Sequence, residues 1–145
     1  MNVLESARLS NRNPIILFTS TNKVYGELSN IKVIESETRY AFKDIKGVTE
    51  DFELDFHSPY GCSKGSADQY VRDYSRIYGL RTIVFRMSCI YGTRQFGNED
   101  QGWLAHFIIS TALSRKISIY GNGKQVRDLL YVEDLVSAMK SAVSQ

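Results

Sequence analysis

Two short apolar runs separated by a capped helical segment restrict this chain more than any other feature. Pro14-Ile-Ile-Leu-Phe-Thr-Ser20 and Thr82-Ile-Val-Phe-Arg86 are continuous rather than alternating, the pattern of strands covered on both faces. Between them, Ser58 and Pro59 supply an N-cap and a first-turn proline. Apolar residues then recur at Ala67, Tyr70, Val71, Tyr74 and Ile77, and Gly79 stops the pattern. Strand, helix and strand in that order predict an α/β fold on a mostly parallel sheet with right-handed crossovers.

The flanking segments are read against that unit. Residues 2 to 9 have the pattern of a helix end, and Asn22 to Asp55 is polar, irregular and long, which predicts a lid or binding loop. Trp103 to Ser114 has helical periodicity, and Ile117 to Tyr120 reads as a short strand before the turn Gly121-Asn-Gly123. Val126 to Val132 reads as another strand, and Glu133 to Val143 as an amphipathic helix. No repeat, low-complexity tract or linker divides the 145 residues into independent domains.

Composition excludes several classes of partner. Lys and Arg number 18 against 16 Asp and Glu, so a net charge of +2 gives no electrostatic reason to expect nucleic acid or an acidic membrane. No stretch approaches the ~20 apolar residues of a membrane span, and Met1 to Ser10 lacks the form of a signal peptide, so a soluble, cytoplasmic chain is expected. Cys62 and Cys89 lack metal-ligand spacing, and His57 and His106 stand alone. We expect reduced thiols, structural histidines and no metal site.

Chemistry concentrates at Tyr60-Gly-Cys-Ser-Lys64, where a phenol and an ammonium four residues apart share one face of the capped helix. A nearby cation favours the phenolate, which would make Tyr60 a usable general acid/base at neutral pH. Such a pair also arises by chance, so its surroundings decide. Phe18-Thr-Ser-Thr-Asn-Lys-Val-Tyr-Gly26 lies at the carboxyl end of the first apolar run, where open α/β sheets place ligand-binding groups, and Thr21 presents a hydroxyl there.

With that order of features the chain resembles the extended short-chain dehydrogenase/reductases, the NAD-dependent epimerase/dehydratase family. Their pattern of Ser/Thr ahead of Val-Tyr-Gly, Tyr-x-x-x-Lys, Arg-x-x-x-x-Tyr-Gly and Arg-Asp-x-x-x-Val-x-Asp reads here as four blocks. These are Thr21 to Gly26, Tyr60 to Lys64, Arg86-Met-Ser-Cys-Ile-Tyr-Gly92 and Arg127-Asp-Leu-Leu-Tyr-Val-Glu-Asp134. The resemblance implies a partial Rossmann-like doubly wound parallel sheet. Residues 1–92 would carry the second half of that sheet with the catalytic residues, and 93–145 substrate-binding elements.

It also implies roles. Tyr60 would move the proton of a sugar hydroxyl, Lys64 would hold the nicotinamide ribose of NAD, and Thr21 would hydrogen-bond the reacting oxygen. Met87 would join Tyr60 and Lys64 at the cofactor. Asn22, Cys89, Arg94, Gln95 and Arg127 would face a nucleotide-sugar, with Arg127 on its diphosphate or nucleotide, a role its permanently charged fork of donors suits. Arg127 could instead form a surface salt bridge with Asp128 or Asp134. Cys89 stands where many relatives carry Asn, and a thiol is a weaker partner than an amide. Gln101 and Trp103 are further candidates for sugar or base contacts, although Trp103 could simply anchor its helix.

Dehydratases of the family carry Asp-Glu after the Thr position as the acid and base of elimination, whereas this chain has Asn22-Lys23. Epimerisation through a keto intermediate therefore fits better than loss of water. The strings Glu37-Thr-Arg-Tyr40, Leu54-Asp-Phe-His-Ser-Pro-Tyr-Gly-Cys-Ser-Lys64, Arg94-Gln-Phe96, Asp100-Gln-Gly-Trp103 and Gly121-Asn-Gly-Lys-Gln-Val-Arg-Asp128 are similar to the CDP-sugar 2-epimerases of the family. A homo-oligomer is compatible with that resemblance.

No Gly-x-x-Gly-x-x-Gly fingerprint for the pyrophosphate of NAD occurs in these residues. The expectation is a segment of an epimerase that is inactive in isolation. The alternative is a truncated relative that binds nucleotide weakly or captures a partner through an exposed sheet edge.

Overall fold

The computed structural model describes residues 1–10 and 12–144. In chain order its elements are α1 (Asn2–Leu9), β1 (Ile15–Thr21), a 3-10 turn (Asn22–Tyr25), β2 (Val33–Glu35), β3 (Tyr40–Phe42) and α2 (Ser58–Tyr78). There follow β4 (Arg81–Met87), β5 (Cys89–Tyr91), α3 (Trp103–Ala112), β6 (Leu129–Tyr131) and α4 (Val132–Val143). They divide into two compact units, one of Met1–Leu28, Thr49–Met87 and Ala138–Gln145, the other of Ser29–Val48 and Ser88–Ser137.

In the first unit the two apolar runs pair as expected. β1 and β4 form a parallel ladder that sets Ile15 opposite Arg81 and Thr21 opposite Met87. Parallel strands need a covering helix, and α2 supplies it. Leu4 and Ala7 of α1, Val71 and Tyr74 of α2 and Leu80 are buried together, with Ile16, Phe18 and Val84 of the ladder packed against them. Of these, the buried leucines and valine each stabilise the fold by roughly 1.5–3 kcal/mol through area removed from water.

α2 starts and stops where its sequence dictates. The Oγ of Ser58 accepts the Gly61 amide at 3.2 Å, satisfying one of the free N–H groups of the first turn. At the other end Gly79 takes the left-handed conformation, φ 69°, and its amide returns to Ser75 O at 3.0 Å. About two turns into the helix, a Cβ on Gly65 would fall 2.3 Å from the Phe56 ring, so only glycine admits that ring.

The remaining segments depart further from the expected pattern. The segment from Asn22 to Asp55 is not wholly irregular. It begins with the 3-10 turn and contains the antiparallel hairpin β2–β3, in which Ser36 closes the connection by donating from its Oγ to Arg39 O at 2.7 Å. β5 pairs in parallel with β6, Cys89 opposite Leu129. The strand expected over Val126 to Val132 is thus only Leu129–Tyr131, and the one expected over Ile117 to Tyr120 does not form. Ile119 and Tyr120 are exposed, and without a ladder partner the β-propensity of that run has nothing to pair with. α3 ends at Ala112, two residues before the expected Ser114.

Candidate active site

One stripe of α2 runs along the carboxyl end of β1. Tyr60, Lys64 and Asp68 follow at four-residue spacing and therefore share a helix face. Next to Tyr60, a Cβ on Gly61 would stand 3.5 Å from Lys23 O, so the first turn of α2 lies close against the 3-10 turn that follows Thr21. Lys64 Nζ donates to Thr19 O at 2.9 Å and lies 5.4 Å from the centre of the Phe18 ring. Asp68 Oδ2 accepts from Ser20 Oγ at 2.8 Å. These contacts fix the helix against the strand end that carries Thr21.

Thr21 is buried, and its Oγ1 accepts the Lys23 amide at 3.3 Å, which caps the 3-10 turn. The same hydroxyl is 3.4 Å from Asn22 Oδ1. Asn22 itself is exposed. Gly26 ends the turn at φ 67°, and a Cβ there would meet both Asp55 O and Asp55 Oδ2 at 2.6 Å, so the return of the chain from Asp55 toward α2 requires glycine. Tyr60 keeps 55% of its surface exposed, which leaves its phenol accessible to a ligand. Met87 ends β4 directly opposite Thr21 in the ladder. The first unit therefore brings together Thr21, Asn22, Tyr60, Lys64 and Met87.

Beneath this stripe lies a pair that the sequence reading did not assign to the site. Asp68 is fully buried and accepts two bonds from Arg86 of β4, Nε to Oδ2 at 2.8 Å and Nη2 to Oδ1 at 2.9 Å. Gln69 Nε2 donates to Oδ1 at 2.9 Å, while Arg86 Nη1 donates to Tyr25 OH at 3.0 Å and to Glu50 O at 3.1 Å. Burial opposes the charged carboxylate, but the bonds from Arg86 and Ser20 and the guanidinium charge outweigh it, holding Asp68 below the usual carboxylate range. The bond to Asp68 likewise raises Arg86. The available signal was an arginine inside an apolar strand, which needs a buried acid.

In the second unit Cys89 and Gln95 line a cavity of about 250 Å³ together with Tyr91, Gln101, Trp103 and Leu129. Gln95 Nε2 donates to Ile90 O at 3.3 Å. Trp103 both opens α3 and walls this cavity, its ring edge-on to Phe107 at 5.5 Å. Arg94 is exposed with φ 65° and does not line the cavity. Arg127 is also exposed, two residues ahead of Leu129, and forms no ion pair among the described residues, contrary to the salt-bridge alternative. His57 stands 3.8 Å from Glu27 and 3.9 Å from Asp55, and both cysteines are free.

Whether these residues fit a nicotinamide cofactor turns on Lys64. Its ammonium has three donor hydrogens and spends one on Thr19 O, leaving two for acceptors such as ribose hydroxyls, on the helix face that also carries the exposed Tyr60. The nicotinamide side of NAD therefore fits.

The chain belongs to the NAD dependent epimerase/dehydratase family, which it matches over residues 1–145. It is 51% identical to the CDP-paratose 2-epimerase of Salmonella typhi, over 99% of this chain and 44% of that protein. Among solved structures, the UDP-N-acetylglucosamine 4-epimerase of Methanobrevibacter ruminantium M1 superposes with a TM-score of 0.78 at 25% identity, over 97% of this chain and 41% of that one. The dTDP-glucose 4,6-dehydratase of Bacillus anthracis, a complex with NAD, does so with a TM-score of 0.72 at 30% identity, over 95% of this chain and 39% of that one. The chain thus spans less than half the length of these relatives, and its architecture is that of a partial Rossmann-like sheet.

Proposed function

We propose that this chain supplies the catalytic and part of the substrate-binding residues of a nucleotide-sugar epimerase, interconverting CDP-paratose and CDP-tyvelose at carbon 2 through a 2-keto sugar. Thr21 would hydrogen-bond the reacting sugar oxygen, and the Tyr60 phenolate would take the proton of that hydroxyl and later return it. Lys64 would hold the nicotinamide ribose and support the phenolate by its charge. When bound, NAD supplies the hydride acceptor and donor for carbon 2. Met87 would line the cofactor, and Asn22, Cys89, Arg94, Gln95 and Arg127 would contact the CDP-sugar.

The observation that carries this reading is the stripe of Tyr60, Lys64 and Asp68 fixed to Thr19 and Ser20 at the strand end that holds Thr21. Asn22 and Lys23 follow Thr21, so no carboxylate stands there to remove water from the sugar. In the same reading residues 1–92 are the catalytic part and 93–145 the substrate part, the complete enzyme works in the cytoplasm as a homo-oligomer, and the 145 residues alone do not turn over.

Tyr60→Phe in the complete enzyme tests the proposal. The expected result is a fall of about 10²–10⁴ in kcat with no change in Tm, since Tyr60 is half exposed and its hydroxyl has no hydrogen-bond partner among the described residues. An unchanged kcat would overturn it.

A further inference from the structure

The turn that leads into Arg127 is bound to a hairpin more than eighty residues earlier in the chain, at sequence separations of 82 to 89. From this contact we infer that the β2–β3 hairpin is a positioning clamp for the arginine that receives the substrate's diphosphate. The inference rests on the reading of Arg127 given above and adds the device that places it.

The turn has its own internal order. Gly121 and Gly123 take φ values of 85° and 76°, and Asn122 Oδ1 accepts the Lys124 amide at 3.1 Å. Gln125 Nε2 closes the base of the turn on Tyr120 O at 2.7 Å. The hairpin then grips it from both strands. Tyr40, at the start of β3, donates its amide to Lys124 O at 3.0 Å and accepts from Asn122 Nδ2 on its hydroxyl at 2.8 Å. Glu35, at the end of β2, accepts from Lys124 Nζ at 2.7 Å, and the same ammonium reaches Ser36 O at 3.1 Å.

On the far side of Arg127 the chain is held again. Ser88 Oγ donates to Asp128 O at 3.0 Å, and β6 pairs with β5 from Leu129 onward. Arg127 therefore sits, exposed, in a short span fixed at both ends and without an ion pair among the described residues. Surface pairs such as Glu35 with Lys124 add little to global stability. What the clamp does supply is order in a segment that would otherwise have to be ordered on binding, and preorganisation of that kind appears as affinity.

A double-mutant cycle on the complete enzyme separates the clamp from the arginine itself, with CDP as the probe in calorimetry and with steady-state kinetics beside it. Asn122→Ala and Glu35→Gln should each weaken CDP by about three- to tenfold and raise KM alike, with kcat and Tm close to wild type. Arg127→Ala should weaken CDP further, and Asn122→Ala added to it should have no additional effect, because the clamp acts through that residue. A full additional loss in the Arg127→Ala background, or wild-type affinity in Asn122→Ala, would overturn the clamp while leaving Arg127 its role. Wild-type affinity in Arg127→Ala would overturn the reading of Arg127 and the clamp with it.

Discussion

Arg86 of β4 holds Asp68 of α2 through two parallel bonds of 2.8 and 2.9 Å, and Asp68 has no exposed surface. This pair ties the helix that carries Tyr60 and Lys64 to the sheet beneath it. Removing one partner strands a buried charge. Asp68→Ala should therefore cost about 3–5 kcal/mol, whereas Asp68→Leu combined with Arg86→Met should recover most of that loss. Denaturant midpoints check both. Equal destabilisation by the single and double variants would show that the pair is not where the cost arises.

The same pair sets an acid dependence. Asp68 is held below its unfolded value, near ~3.9, so its contribution is present in full above that value and is lost as pH falls through the lower folded one. Stability measured against pH should show a gap between wild type and Asp68→Asn that is constant above about pH 5 and narrows below about pH 4. A gap that narrows only toward alkaline pH would contradict the assignment.

Gly65→Ala should destabilise although it adds a single methyl group to a helix. Its Cβ would lie 2.3 Å from Phe56, and overpacking of that kind costs roughly 1–3 kcal/mol. Thermal unfolding reads it directly. A raised Tm, as alanine gives at an open helical position, would mean that Phe56 moves aside freely.

Lys64→Met should leave the protein folded, since it removes one charged bond to a backbone carbonyl, worth at most about 1.5–3 kcal/mol, and a contact with the Phe18 ring. It should nonetheless reduce the NAD retained by the complete enzyme after desalting. Retention equal to wild type would remove Lys64 from the cofactor site.

Much of this was legible in the sequence because burial imprints a pattern. The apolar runs ending at Ser20 and Arg86 became β1 and β4 within a residue, and Ser58 and Gly79 bounded α2. The family blocks that carry Thr21, Tyr60 and Lys64 could be read because they are local strings. Three of the four strands of three residues escaped. β2, β3 and β5 are too short to show a period, and each exists through a partner strand rather than its own propensity. The run at Ile117 to Tyr120 failed in the opposite direction, with propensity but no partner. Asp68 and Tyr40 bond Arg86 and Asn122 across 18 and 82 positions, separations that no local pattern reports.

Under the proposed function, carbon 2 of the CDP-sugar would lose and regain its own hydrogen while Tyr60 moves the hydroxyl proton. Turnover by the complete enzyme, in ordinary water, of CDP-paratose carrying deuterium at carbon 2 tests it most directly. The expected product is CDP-tyvelose with the deuterium retained at carbon 2. Exchange of that label into solvent would contradict it.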